Sequence, residues 1–214
     1  MGLWEGSTEN KATCSALLSN LEGRGLSTDT AMLYVIDGSK VIRQAIVAHY
    51  GALALIQRCT KHKERNVTDH LPKTERILLA RKLRRAWCNP DAASAERELR
   101  QIARSLKMSH PGAAASVLEG LEETLTLTRL HLSGSLHRSL KTTNPIESMI
   151  SIARSTSRGV KRWRSGEMAL RWTAAGMLEA ERQFRRFNGY KDLHVLKAAL
   201  RAHEEVVKGG KRVA

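Results

Sequence analysis

The chain has 214 residues, of which 42% are apolar and 27% charged, with four prolines, enough for one core domain with or without an insertion. Its 36 Lys and Arg against 21 Asp and Glu leave a net charge of +15, which points to a polyanionic partner, with nucleic acid first. No apolar run is long enough to span a bilayer, the start lacks a secretory pattern, and Cys14, Cys59 and Cys88 are too few and scattered for a disulfide framework. A protein of the cytoplasm, without membrane association, is expected.

The opening Met1-Gly2-Leu3-Trp4-Glu5-Gly6 reads as the tail of a strand. Ser7 to Asn10 then supplies capping residues for a helix whose apolar face is Cys14, Leu17, Leu18 and Leu21, ending near Gly23 and Gly25. Leu33-Tyr34-Val35-Ile36 is a buried-strand pattern that delivers Asp37 immediately before Gly38 and Ser39. An acid at the carboxyl end of a strand in an open α/β sheet is either a metal ligand or a turn and cap residue. A helix follows from about Ser39 to Tyr50, with Ile42, Ala45 and Ile46 inward, stopped by Gly51. Ala52 to Ile56 is a second strand, and the strand, helix, strand order implies a parallel pair.

The next segment, Gln57 to Asn66, holds a Cys-x-x-His pair, Cys59 and His62, and leads into a basic helix ending before Pro72. Two ligands do not make a structural zinc site, so a local pair bracing the strand-to-helix turn is expected. From Thr74 to about Thr128 the pattern is helical throughout. Ala92, Ala95, Leu99, Ile102, Ala103 and Leu106 form one apolar face, and Val117, Leu118, Leu121 and Leu125 another, with Pro111-Gly112 as a break. Residues 129 to 141 show little periodicity and are expected to loop back. In Thr143-Asn144-Pro145-Ile146-Glu147, Asn144 is the expected N-cap, Pro145 suits the first turn, and Glu147 lies just inside the helix. Arg154, Arg158, Lys161, Arg162 and Arg164, with Trp163 among them, form the densest basic stretch and suit a nucleic-acid backbone. Met168 to Phe187 reads as a long helix, and a last helix from about Asp192 runs into a basic tail, Lys208 to Arg212.

These pieces resemble the Mutator-family transposases of bacterial insertion sequences. The resemblance is carried by Gly2 to Asn10, Val35-Ile36-Asp37-Gly38-Ser39-Lys40, Arg58-Cys59-Thr60-Lys61-His62-Lys63, His70-Leu71-Pro72, Thr142 to Ser148 and Lys161-Arg162-Trp163-Arg164, all in family order. It implies an α/β, mostly helical protein with a truncated RNase H-like fold and a large all-helical insertion. The implied division is a core at 1–72, the insertion at 73–128, and the rest of the catalytic core with its basic helices at 129–214. It also implies DNA cleavage and strand transfer by phosphoryl transfer, with Mg²⁺ or Mn²⁺ held by two aspartates and a glutamate. Asp37 would be the second aspartate and Glu147 the glutamate; Cys59 and His62 match the Cys-x-x-His motif. Trp87, the tryptophan of the insertion, is a candidate for stacking on a DNA base.

In that family the first aspartate and the region that recognises transposon ends precede the segment matched from Gly2. The resemblance therefore implies the C-terminal part of a transposase, from a truncated or frameshifted gene or a late start codon. Such a chain is expected to bind metal weakly, to be inactive alone, to expose a sheet edge, and to associate with itself or with full-length transposase near the nucleoid. Two other readings stand beside it: a non-catalytic basic DNA-binding remnant that interferes with intact transposase, and a basic helical RNA-binding protein.

Overall fold

The structure, a computed structural model, describes residues 2–4 and 10–210. The chain divides into two compact units. One comprises Met1–Asp29, Lys40–Gly51 and Thr143–Phe187; the other comprises Thr30–Ser39, Ala52–Thr142 and Asn188–Ala214.

The second unit contains the sheet. Strands β1 (Met32–Ile36) and β2 (Ala54–Arg58) pair in parallel, with Met32 opposite Ala54 and Ile36 opposite Arg58. The expected parallel pair is therefore present, displaced by two residues at the second strand because Gly51–Leu53 forms a 3₁₀ turn first. The ladder continues one step past β2, where the Cys59 N–H donates to the Ile36 carbonyl at 2.7 Å. Helices α3 (Thr60–Thr68), α4 (Lys73–Trp87), α5 (Ala92–Leu106) and α6 (Pro111–Leu118) follow, then a 3₁₀ turn (Glu122–Leu125) and the short α7 (Thr126–Arg129).

The apolar spacing explains how these helices pack. Leu79, Leu83 and Ala86 of α4, Ala95, Leu99 and Ala103 of α5, and Ala113 and Val117 of α6 recur every three or four residues and close into one core with Val67, Leu71, Trp87, Leu121 and Leu125. Asp91 caps α5 by accepting the Ser94 N–H at 2.8 Å. Leu118, expected on the inner face, is 47% exposed because α6 ends there and the chain turns away at Glu119. Pro111 opens α6 rather than breaking a helix, since a first-turn proline costs no backbone hydrogen bond.

Residues 129–141 are not a plain loop: Gly134–Leu140 forms α8. Leu132 and Leu136 are buried with Leu127, and Leu140 packs partly against them, an i, i+4, i+8 spacing that the many Ser, His and Arg residues obscure. The last helix, α11 (Leu193–Gly210), ties down the start of both strands: the Glu204 carboxylate accepts the Ala31 N–H at 3.0 Å, and His203 Nε2 lies 2.8 Å from the Ala52 carbonyl oxygen. The basic tail at Lys211 and Arg212 lies outside the described residues.

The first unit holds α1 (Lys11–Gly23), α2 (Lys40–Tyr50), α9 (Asn144–Thr156) and α10 (Gly166–Arg182). Asn10 caps α1, its side chain accepting the Thr13 N–H at 2.9 Å, and α1 packs on α2. Residues 2–4 have no regular secondary structure, which corrects the expected strand tail; the expected caps Ser7 to Glu9 lie outside the described residues. Helices α9 and α10 approach closely at a pair of small residues. A Cβ on Gly176 would lie 2.6 Å from the Ala153 Cα, so only glycine fits there. Helix α10 ends at Arg182, short of the expected Phe187, and Phe184 and Phe187 are exposed. Among the described residues no helix is long and apolar enough to cross a membrane. The chain is mostly helical, with a small parallel sheet.

Candidate functional site

Asp37 follows β1 at the carboxyl end of the parallel pair and is exposed. Its Oδ1 accepts the Ser39 N–H at 2.9 Å, an Asx turn that fixes the carboxylate beside Gly38. Gly38 has φ +121°, a conformation that a β-carbon disfavours, so the Asp-Gly sequence is what the turn requires.

Glu147 belongs to the other unit. Helix α9 begins at Asn144, so the capping position is Thr143, one residue before the expected Asn144. The buried Thr143 does not cap the backbone with its side chain; its hydroxyl donates instead to Glu147 Oε1 at 2.6 Å. Pro145 in the first turn and this hydrogen bond fix where the carboxylate stands, and the helix N-terminus favours its charge.

Cys59 is fully buried and His62 Nδ1 lies 3.4 Å from its Sγ, a local contact across the first turn of α3. The same turn is held by Thr60, whose N–H and hydroxyl both donate to the Lys141 carbonyl, at 3.0 and 3.2 Å.

Trp87 is 5% exposed in the helical core, and its indole N–H donates to Thr124 Oγ1 at 3.0 Å. The ring is committed to packing and presents no face on which a base could stack. The basic stretch has the opposite character. Arg154 and Arg158 at the end of α9, and Lys161, Arg162, Trp163 and Arg164 in the connection to α10, are all exposed. Among the described residues these five cations make no ion pair. Val160, Lys161, Arg162, Arg164, Met168 and Trp172 line one open cavity, so Trp172, which the spacing marked only as a helix residue, joins this surface.

Gln57 and Arg58 at the carboxyl end of β2, Lys63 in α3 and Glu119 after α6 have roles that the sequence reading did not assign. Gln57 is fully buried; its amide donates to the Arg58 and Thr124 carbonyls at 2.8 and 3.2 Å and its Oε1 accepts the Leu127 N–H at 3.1 Å. Arg58 and Lys63 are buried cations that both reach Glu119. Burial, with the Arg58 charge beside it, lowers the Lys63 pKa from 10.5 to about 8, against the pull of Glu119 and Glu123. The Lys63 Nζ donates to the Glu119 carbonyl.

A strand-borne acid before a glycine turn, a second acid in a proline-set first helical turn, and an uncompensated basic surface are features of a protein that works on nucleic-acid backbones. Comparison with known proteins gives the family: the model described as "Transposase, Mutator family" matches residues 1–186, and the chain belongs to that family. It is 29% identical over 150 residues to the transposase for insertion sequence element IST2 of Acidithiobacillus ferrooxidans, covering 70% of this chain and 49% of that protein. It is 26% identical over 189 residues to the transposase for insertion sequence element ISRM5 of Rhizobium meliloti (strain 1021), covering 88% of this chain and 46% of that protein. The chain thus spans about half the length of these curated relatives.

Proposed function

We propose that this chain carries two of the three metal-binding carboxylates, Asp37 and Glu147, and much of the DNA-contacting surface of a DDE transposase with an RNase H-like core. In this reading the helices between residues 73 and 128 are an insertion into that core, and Cys59 and His62 brace the turn after β2. The observation that carries it is Asp37 itself: an exposed residue at the strand tip, its turn built by Gly38, with one carboxylate oxygen fixed by the Ser39 amide. Hard carboxylate oxygens are the donors that Mg²⁺ or Mn²⁺ takes, so the two acids fit such an ion. When bound, a pair of divalent ions would activate the attacking oxygen and stabilise the leaving one.

The chain's own residues supply placement. Asp37 is held by the Ser39 N–H, and Glu147 by the Thr143 hydroxyl. Arg154, Arg158, Lys161, Arg162 and Arg164 neutralise phosphates, and Trp163 offers a stacking face to the DNA. Two carboxylates hold a divalent ion more weakly than three, so these 214 residues by themselves are inactive, and the third acid comes from a longer transposase in a mixed assembly. Acting on transposon ends and target DNA, it works at the nucleoid in the bacterial cytoplasm.

Cleavage of a transposon-end duplex tests this. With Mg²⁺ or Mn²⁺ the 214-residue chain is expected to give no nicking, and a chain extended upstream to include a third acid is expected to cut. In the extended chain Asp37→Asn and Glu147→Gln each lower cutting at least about a hundredfold, the upper end of what altering a mere neighbour of a metal ligand does. Metal-dependent nicking by the 214-residue chain that survives both substitutions would overturn the reading.

The exposed basic stretch favours a second role, DNA binding without catalysis that interferes with intact transposase. If all five cations contact phosphates, affinity falls by about 10²–10³ between 50 and 200 mM salt. Addition of the 214-residue chain should then depress transposition by the longer protein.

A further inference from the structure

Arg58 ends β2 with only 5% of its surface exposed, and its guanidinium meets two segments at once. Nη2 donates to the Gly38 carbonyl at 3.3 Å and to Glu119 Oε2 at 3.1 Å; Nη1 donates to the Glu119 carbonyl at 3.2 Å. Gly38 directly follows Asp37, so one side chain grips the turn that carries the carboxylate and, on its other edge, the end of α6. Two glycines make the room. A Cβ on Gly38 would stand 2.5 Å from Arg58 Nε, and one on Gly120 would stand 2.3 Å from Nη1, each in a positive-φ conformation of +121° and +59°.

Burying a guanidinium is expensive, and a pair of buried cations sharing one carboxylate is a poor way to gain stability. A fork explains why arginine stands here. Its planar donors reach a carboxylate and a carbonyl in fixed directions, which an ammonium cannot do.

We infer that Arg58, keyed by Glu119, is a positioning residue that sets the Asp37–Gly38 turn, and hence the direction in which the Asp37 carboxylate is presented, from the helical layer at the end of α6. The consequence for metal binding rests on the reading of Asp37 as a ligand; the positioning itself does not. The arrangement ties the helices after β2 to the strand tip: a shift at Glu119–Gly120 is felt at Asp37 through one side chain.

Two readouts on the full 214-residue chain separate the two claims. Amide hydrogen exchange at Ser39 reports the turn, because that N–H donates to Asp37 Oδ1. Arg58→Gln, Arg58→Lys and Gly120→Ala are each expected to speed exchange at Ser39 at least about tenfold, with the β1–β2 ladder unchanged, since local opening has its own free energy. Arg58→Lys keeps the charge opposite Glu119 but lacks the fork, and Gly120→Ala acts from across the guanidinium, far from Asp37 in sequence. Uniform acceleration through the chain, or Ser39 exchange at the wild-type rate in Arg58→Lys and Gly120→Ala, overturns the inference. Mn²⁺ affinity, read from the free-ion electron paramagnetic resonance signal, is the second readout. It should fall in Asp37→Asn and in Arg58→Lys. If Asp37→Asn leaves Mn²⁺ affinity unchanged, the ligand reading fails while the exchange result still decides the positioning.

Discussion

Two groups of cations in this protein show what burial does to the same chemistry. Arg58 and Lys63 are buried, and each is met by oxygens of Glu119 that replace the water it gave up. Arg154, Arg158, Lys161, Arg162 and Arg164 are exposed and, among the described residues, unpaired with any acid. The first group spends its charge inside the molecule, fixing the end of β2 against the chain after α6. The second keeps its charge for something outside. Net charge alone does not distinguish the two, although the second dominates attraction at a distance, because the first faces Glu119 and Glu123 and sits behind protein.

The sharpest way to break this comparison is Glu119→Ala. It leaves two buried cations with the Glu119 backbone carbonyl and Glu123 as the remaining carboxylate nearby, and stability in urea is expected to fall by about 3 kcal/mol, the low end for a broken buried pair because the Glu119 side chain is 41% exposed. A loss below about 0.5 kcal/mol would mean that water reaches Arg58 and Lys63 and that the groups do not differ. The combined change Lys161→Ala, Arg162→Ala and Arg164→Ala should do the reverse. Melting stays within about 0.5 kcal/mol of the parent, as for other surface substitutions. The slope of log affinity for duplex DNA against log salt shrinks by about 2.7, one increment of about 0.9 for each lost phosphate contact.

The smallest effect is in pH. Lys63 holds its proton less tightly in the folded chain, at about 8, than its ordinary 10.5. Between these values the unfolded chain binds more protons, so the lysine's contribution to stability rises with pH across that window. Urea titrations of the parent and of Lys63→Met from pH 7.5 to 9.5 should show the parent gaining on the variant by about 2 kcal/mol. A difference that is flat or falls with pH would place the Lys63 ammonium in contact with water.

The local parts of the fold were legible in the residues. Val35-Ile36-Asp37-Gly38 gave both the strand and its terminal turn, Ala95, Leu99 and Ala103 marked the buried face of α5, and Pro145 marked the start of α9 ahead of Glu147. The misses share one cause, that a polar residue shows its value only through a distant partner. Gln57 and Arg58 stood only as the lead-in to a basic helix, yet both are buried against Thr124, Leu127 and Glu119, some sixty to seventy positions away. Trp87 stood out as the tryptophan of a helical block, and nothing local revealed that Thr124 takes its indole proton. In α8 the leucine spacing was present, but a seven-residue helix gives the periodicity barely two turns in which to show.

The tie from α11 to the strands carries a consequence for how the molecule comes to be folded. The Glu204 carboxylate and the Ala31 amide are separated by 173 positions, and His203 reaches back 151 positions to Ala52. Contacts of such separation close a long loop and therefore form late. During synthesis the starts of β1 and β2 wait, with Ala31 N–H unsatisfied by protein, until α11 has left the ribosome. For that interval the only sheet in the described residues is open at the end opposite Asp37, and a second nascent copy from the same message is the nearest source of an α11 to close it.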